Sequence, residues 1–191
     1  MGKVASSLGW DVVSLDLKDA DINVDILTWD FSVFPVGCFD VVWASPPCTE
    51  YSRAKTTGIR KIEYANSIVL RTIDIIKYLE PKYYIIENPQ TGLLKQQIFM
   101  NDMPYKDVDY CKYGFPYRKR TRLWNNIENW IPKPLCNKDC DFMNGNKHIS
   151  EAQRLKKTEN GVVKNFEQNE LYKIPELLIL EIFNSLNDNY P

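Results

Sequence analysis

At 191 residues, 44% hydrophobic and 13% aromatic, the chain has the size of one domain and enough apolar content to bury a core, which excludes disorder for the bulk of it. No run reaches the roughly 18 apolar residues of a membrane span, and Met1-Gly2-Lys3-Val4 opens no signal-peptide hydrophobic region. No membrane is therefore expected, and an intracellular protein, cytoplasmic or nuclear, rather than a secreted one. The net charge of −1 hides a basic middle: residues 51–125 hold fourteen bases and seven acids, whereas residues 1–50 hold two bases and eight acids.

Val12-Val13-Ser14-Leu15 reads as a short strand ending at Asp16, and Asp40 to Ala44 as another. Lys82 to Ile86 is a third, ending at Glu87. Between the last two, Ile62, Ala65, Val69, Ile73, Ile76 and Leu79 recur at helical spacing, and Pro81 stops that helix. Strand, long helix and strand form a βαβ unit, which implies a parallel sheet. Weaker strand patterns follow at Asp107 to Tyr110 and Thr121 to Trp124. From Asn125 to about Asn169 the pattern dissolves into Pro, Asn, Lys and Gly, a long irregular excursion of the kind that is usually functional. A closing helix starts after Pro175, with Leu177, Leu178, Leu180, Ile182 and Phe183 as its apolar content. The expected organisation is an α/β core over residues 1–125, an irregular recognition insertion over 126–170, and a C-terminal helix over 171–191 that packs back on the core.

In open parallel sheets ligands bind beyond the carboxyl ends of the strands, so the strand-ending residues carry the functional reading. Asp40-Val-Val-Trp-Ala-Ser-Pro-Pro-Cys48 presents a thiol from a loop stiffened by two prolines. A nucleophilic cysteine needs that placement, although a lone cysteine more often merely packs. Glu87-Asn88-Pro89 ends the next strand, where a carboxyl group would hold a ring nitrogen or amide, or simply cap a turn. Arg118, Arg120 and Arg122 alternate at strand period, so their guanidinium groups share one face, either as an anion site or as a solvated basic edge.

Taken together, the three segments resemble the DNA cytosine-5 methyltransferase family. Its nucleophile motif is matched by Pro47-Cys48-Thr-Glu-Tyr51-Ser52, its Glu-Asn-Val motif by Glu87-Asn88-Pro89, and its Gln-x-Arg-x-Arg motif by Arg118-Lys-Arg120-Thr-Arg122. The order and spacing agree, over roughly residues 2–125. The resemblance implies a Rossmann-like, S-adenosylmethionine-dependent methyltransferase fold with a mostly parallel sheet and a short irregular target-recognition insertion. It implies methylation of carbon-5 of cytosine in double-stranded DNA, on a base flipped out of the duplex. By resemblance Cys48 is the thiolate that adds to carbon-6, Glu87 hydrogen-bonds the cytosine ring, and Arg120 or Arg122 binds the base's carbonyl oxygen and nearby phosphate. Pro47, Ser52, Asn88 and Arg118 fall on the substrate side of the same motifs. Asp16 stands where the family binds the ribose hydroxyls of the cofactor, Asp25 with Ile26 near its adenine, and Pro46 where the nucleophile loop meets it. The family's opening strand and Gly-rich loop would precede Met1-Gly2-Lys3-Val4, so the sequence either starts inside a longer protein or has lost them. Arg118 in place of Gln and Pro89 in place of Val are milder departures.

Five cysteines, an odd number, do not form a disulfide framework. Cys136-Asn-Lys-Asp-Cys140 followed by His148, the single histidine, has ligands of the type that tetrahedral zinc takes, with Cys111 as a fourth in principle; unbound surface thiols are the alternative. Cys38 reads as core packing. Trp124 and Trp130, with Lys133, Lys138 and Lys147, are candidate DNA contacts. The alternatives to a DNA methyltransferase are a catalytically impaired DNA-binding relative without a complete cofactor loop, and an enzyme using the same thiolate chemistry on RNA cytosine or a free pyrimidine nucleotide.

Overall fold

The computed structural model describes residues 1–152, 156–158, 161–163 and 166–187. In chain order its helices are α1 (Gly2–Ser7), α2 (Ile62–Leu79), α3 (Gln168–Leu171) and α4 (Glu176–Asn187). Its strands are β1 (Leu15–Asp16), β2 (Ile22–Asn23), β3 (Val41–Ala44), β4 (Tyr83–Pro89), β5 (Tyr105–Asp109), β6 (Arg120–Asn125), β7 (Met143–Asn144), β8 (Lys147–His148), β9 (Lys156–Thr158) and β10 (Gly161–Val163). They divide between two compact units. One comprises Val13–Asp107 and Thr121–Glu128, the other Met1–Val12, Val108–Arg120 and Asn129–Pro191. Among the described residues no helix is long and apolar enough to cross a membrane.

In the first unit the expected βαβ pattern is present: β3 and β4 pair in parallel, Val41 with Tyr83 through Ala44 with Ile86, and α2 connects them. Beyond β4 the sheet turns mixed, since β6 pairs antiparallel with β4 and the order is β3-β4-β6-β5. A strand reached from β4 by two short segments and a hairpin has no crossover helix, and without one it cannot run parallel. Helix α2 buries Ala65, Val69, Thr72, Ile76 and Leu79, three or four residues apart, on one face. That face meets Tyr51, Leu94, Met100 and the cross-strand partners Ile86 and Trp124 to form the core. Glu80 ends the helix in the left-handed region at φ 45°, its N–H donating to Ile76 O, and Pro81 forbids continuation.

In the second unit α4 buries Leu178, Ile179, Ile182, Phe183 and Leu186, while Leu177 stays half exposed. Phe183 meets Trp10 edge-to-face at 5.2 Å. Glu181 is the polar anchor of the helix: its Oε1 accepts from Tyr113 Oη at 2.8 Å and from Trp130 Nε1 at 2.9 Å. Two sequence expectations are corrected by burial. Trp124 and Trp130 are each 1% exposed and serve as core rather than as DNA contacts, because indoles of that size are the first residues a small core recruits. Cys38 is exposed, not packed, because Pro35 and Gly37 (φ 74°) turn the chain there, the Cys38 N–H closing back on Pro35 O.

Candidate active site

The chain leaves β3 at Ala44 and enters Ser45-Pro46-Pro47-Cys48 at the same end of the sheet where β4 finishes with Glu87, Asn88 and Pro89. Because β3 and β4 are parallel and in register, both segments emerge side by side. A direct bond joins them: Asn88 Nδ2 donates to Pro46 O at 2.9 Å, with Asn88 itself 1% exposed. Pro46 is buried, Pro47 exposed and Cys48 partly exposed, so a fixed backbone presents an accessible thiol. The other amide atom, Asn88 Oδ1, is buried without a hydrogen-bond partner in this ligand-free chain. A buried orphan acceptor is costly, and at a strand end it marks a position where a donor is wanted.

The loop after Cys48 is anchored on the inside by Tyr51, which is fully buried. Its N–H closes on Cys48 O at 3.1 Å, and its hydroxyl donates to Asn66 Oδ1 of α2 at 2.8 Å. Asn66 Nδ2 donates to Gln97 Oε1 at 3.0 Å, Gln97 Nε2 to Leu93 O at 3.2 Å, and Leu93 N to Tyr51 O at 2.9 Å. The circuit closes on itself and locks the loop after β3 to the loop after β4. Burial pushes the Tyr51 phenol up to about 12. On the outer side, Arg60 Nη1 donates to Glu50 O and, at 2.9 Å, to Ser52 O, and Nη2 donates to Lys55 O at 2.9 Å. Lys55 pairs with Glu50 at 2.6 Å and, with the Lys61 N–H, holds its carboxyl below the ordinary range. Ser52 Oγ accepts from the Ala54 N–H at 3.2 Å.

Glu87 is 7% exposed and Asn88 1%. Register puts them on opposite faces: Glu87 pairs with Leu123, and Asn88 pairs with Arg122. Arg122 thus lies on the Asn88 face. Its guanidinium makes two parallel bonds to Asp107, Nε to Oδ1 at 2.8 Å and Nη2 to Oδ2 at 2.9 Å, and stacks 3.4 Å from the Tyr105 ring. In the second unit Arg120 makes the same fork to Asp109, at 3.0 and 2.7 Å, and Asp109 is 1% exposed. Arg118 is exposed and precedes β6. Of the three alternating arginines, two therefore enter the strand, and each is matched by an acid two residues apart on β5. Sequence reading passed over Asp107 and Asp109, although their own i, i+2 spacing was the signal.

The residues expected around a cofactor all belong to the first unit. Asp16 is exposed at the carboxyl end of β1, its Oδ1 accepting the Leu17 N–H at 2.7 Å. Asp25 and Ile26 lie in the turn after β2, where Asp25 Oδ1 accepts the Leu27 N–H at 2.9 Å. Arg71 of α2 fixes that turn by donating to Ile26 O and Trp29 O, at 3.3 and 2.8 Å, with Phe31 under its guanidinium. A carboxylate at a strand end is an acceptor that ribose hydroxyls can donate to, and Asp16 there fits a nucleoside-bearing cofactor.

In the second unit Cys111, Cys136, Cys140 and His148 converge, their sulfur and ring nitrogen atoms all within 4.8 Å of one another. Cys111 and Cys136 are buried.

The family described as C-5 cytosine-specific DNA methylase matches residues 13–103, a span holding Cys48 and Glu87. A protein of Frog virus 3 (isolate Goorha) named "Probable DNA (cytosine-5)-methyltransferase" is 35% identical over 193 residues, spanning 92% of this chain and 89% of that one. Among solved structures, a DNMT2 variant of Spodoptera frugiperda is similar at a TM-score of 0.41 and 17% identity, over 70% of this chain. The chain spans 49% of that structure's length.

Proposed function

From the chain's membership of the DNA cytosine-5 methyltransferase family, whose members move a methyl group from S-adenosylmethionine to carbon-5 of cytosine, we propose that Cys48 is the nucleophile and that double-stranded DNA is the substrate. The observation that carries the assignment is the Asn88–Pro46 bond, which ties the loop bearing Cys48 to the strand end bearing Glu87. Carbon-5 of cytosine is a weak nucleophile. Addition of the Cys48 thiolate to carbon-6 makes the ring an enamine, and carbon-5 then has the electron pair to take a methyl group. Loss of the carbon-5 proton and expulsion of the thiolate restore the aromatic ring and free the enzyme.

Glu87 supports the addition by hydrogen-bonding the ring nitrogen and exocyclic amine, so that charge pushed into the ring is met by a proton. By the family pattern, Arg122 or Arg120 would stabilise the base's carbonyl oxygen or the adjoining phosphate as charge grows. Asn88 positions the nucleophile loop, and Pro47, Ser52 and Arg118 complete the substrate side. Asp16 would hold the cofactor's ribose and Asp25 with Ile26 its adenine end, with Pro46 beside them. S-adenosylmethionine supplies an electrophilic methyl group when bound. The exposed Lys133, Lys138 and Lys147 suit phosphate contact. Such a reaction belongs where DNA and reduced thiols coexist, in the cytoplasm or nucleus. Zinc at the Cys/His cluster would be structural and takes no part in the transfer.

The test incubates the purified chain and a Cys48→Ala variant with S-adenosylmethionine and either duplex DNA or RNA, and counts methylated nucleosides by mass spectrometry. Wild type should form 5-methylcytosine in DNA, and the variant should fall by at least about a thousandfold with unchanged circular dichroism. Product in RNA alone, or equal activity of the variant, overturns the assignment.

A further inference from the structure

We propose that Cys111, Cys136, Cys140 and His148 form a structural zinc site that closes the irregular segment after Asn129 onto the turn following β5. Three independent features lead there. First, four ligand atoms of zinc type, three sulfurs and one imidazole nitrogen, lie within 4.8 Å of one another. Tetrahedral zinc with bonds of about 2.3 Å to sulfur and about 2.0 Å to nitrogen requires ligand–ligand edges of about 3.5–3.8 Å. Cys136 Sγ to His148 Nε2 is already 3.5 Å.

Second, the four ligands are delivered by three locally determined elements. Cys111 sits in the single turn Tyr110–Tyr113, which Gly114 ends at φ 95°. Cys136 and Cys140 bracket a tight turn in which Lys138 takes φ 62° and the Asn137 N–H donates to Asp139 Oδ1 at 2.9 Å. His148 comes from β8 of a two-residue hairpin turning at Gly145-Asn146. Lys112 and Asp139, each adjacent to a ligand, pair at 2.7 Å and hold the first two elements together.

Third, the stretch that supplies Cys136, Cys140 and His148 has little else to order it. From Ile131 to His148, Cys136 is the single buried residue. A segment with so few apolar residues cannot meet its ordering entropy by burial, and a metal does so directly. Four closed ligands with no open position describe a structural rather than a catalytic ion. The Cys136 N–H donates to Asp109 Oδ2 at 2.9 Å, the same oxygen that binds Arg120 Nη2. Fixing Cys136 fixes the acid that orients Arg120. The site stands whether or not the chain transfers methyl groups.

The test is elemental analysis of the full chain, purified reduced, without chelators, after zinc-replete expression. About one zinc per chain is expected, unchanged in Cys38→Ser and reduced at least about tenfold in Cys140→Ser and Cys111→Ser. Should those variants fail to fold, the wild type decides alone. Three of its five thiols should resist a thiol reagent until a chelator or mercurial releases the metal, and cobalt should replace zinc with a thiolate charge-transfer band. Folded wild type that holds no zinc after reconstitution, that shows all five thiols reactive, or that carries a disulfide among Cys111, Cys136 and Cys140 overturns the site.

Discussion

Arg122, one of the two arginines proposed to stabilise developing charge, is held by its own neighbours. Its fork to Asp107 and its stacking on Tyr105 fix the guanidinium plane before any base arrives. Lysine keeps the charge but has neither the second parallel donor nor the stacking plane. Arg122→Lys should therefore lower kcat/KM on DNA by about a hundredfold, while the affinity for S-adenosylmethionine, measured by calorimetry, stays the same. Equal losses in both would place Arg122 in the fold alone. Tyr51 is fully buried and holds the loop after Cys48 to α2. Tyr51→Phe leaves the ring but takes a donor from Asn66 Oδ1. It should cost about 1–2 kcal/mol, read as a fall of several degrees in Tm. An unchanged Tm would show that the hydrogen-bond circuit does not bear on stability.

At the level of elements, the parallel register of β3 and β4 is what brings a thiol and a carboxyl to one edge of the sheet. The loop after β4 must then pass close to the loop after β3, and Gly92 permits it. A Cβ at residue 92 would stand 3.1 Å from Pro89 O and 3.4 Å from Tyr51 O, both backbone atoms with little room to yield. Gly92→Ala should cost about 1–3 kcal/mol in urea unfolding and slow methyl transfer more than it weakens DNA binding. A neutral Gly92→Ala would mean that the two loops are not rigidly apposed. Much of this level was legible in the sequence. The apolar spacing from Ile62 to Leu79 and the stop at Pro81 define α2 to the residue. The flanking β-rich runs locate β3 and β4. What escaped was pairing between elements. The acids at 107 and 109 and the arginines at 120 and 122 have matching two-residue spacing, yet only the hairpin shows that each cation has its own carboxylate. The reading of three arginines as a shared anion face counted charges on one strand and omitted its neighbour. Cys111, which the sequence offered as a fourth ligand in principle, does join a cluster whose other members follow it by more than twenty residues.

Across the whole molecule, buried phenols set an alkaline limit. Burial raises Tyr51 and Tyr117 to about 12 and Tyr113 upward as well, from an ordinary value of 10.0. Below pH 10 these groups are neutral in folded and unfolded chains alike, and their contribution is fully present. Between pH 10 and 12 the unfolded chain loses their protons first, so folding free energy falls with rising pH. Urea midpoints should therefore drop across that window; midpoints flat to pH 12 would contradict the burial of these rings. The central claim, covalent addition of Cys48 to cytosine, has a more direct test. In duplex DNA carrying 5-fluorocytosine, carbon-5 can still accept the methyl group of S-adenosylmethionine but has no proton to lose afterwards, so the adduct cannot resolve. After incubation with S-adenosylmethionine and digestion, mass spectrometry should find the methylated fluorocytosine bonded to the peptide containing Cys48. Methyl transfer to ordinary duplex DNA without any such adduct, or an adduct on another cysteine, would contradict the account.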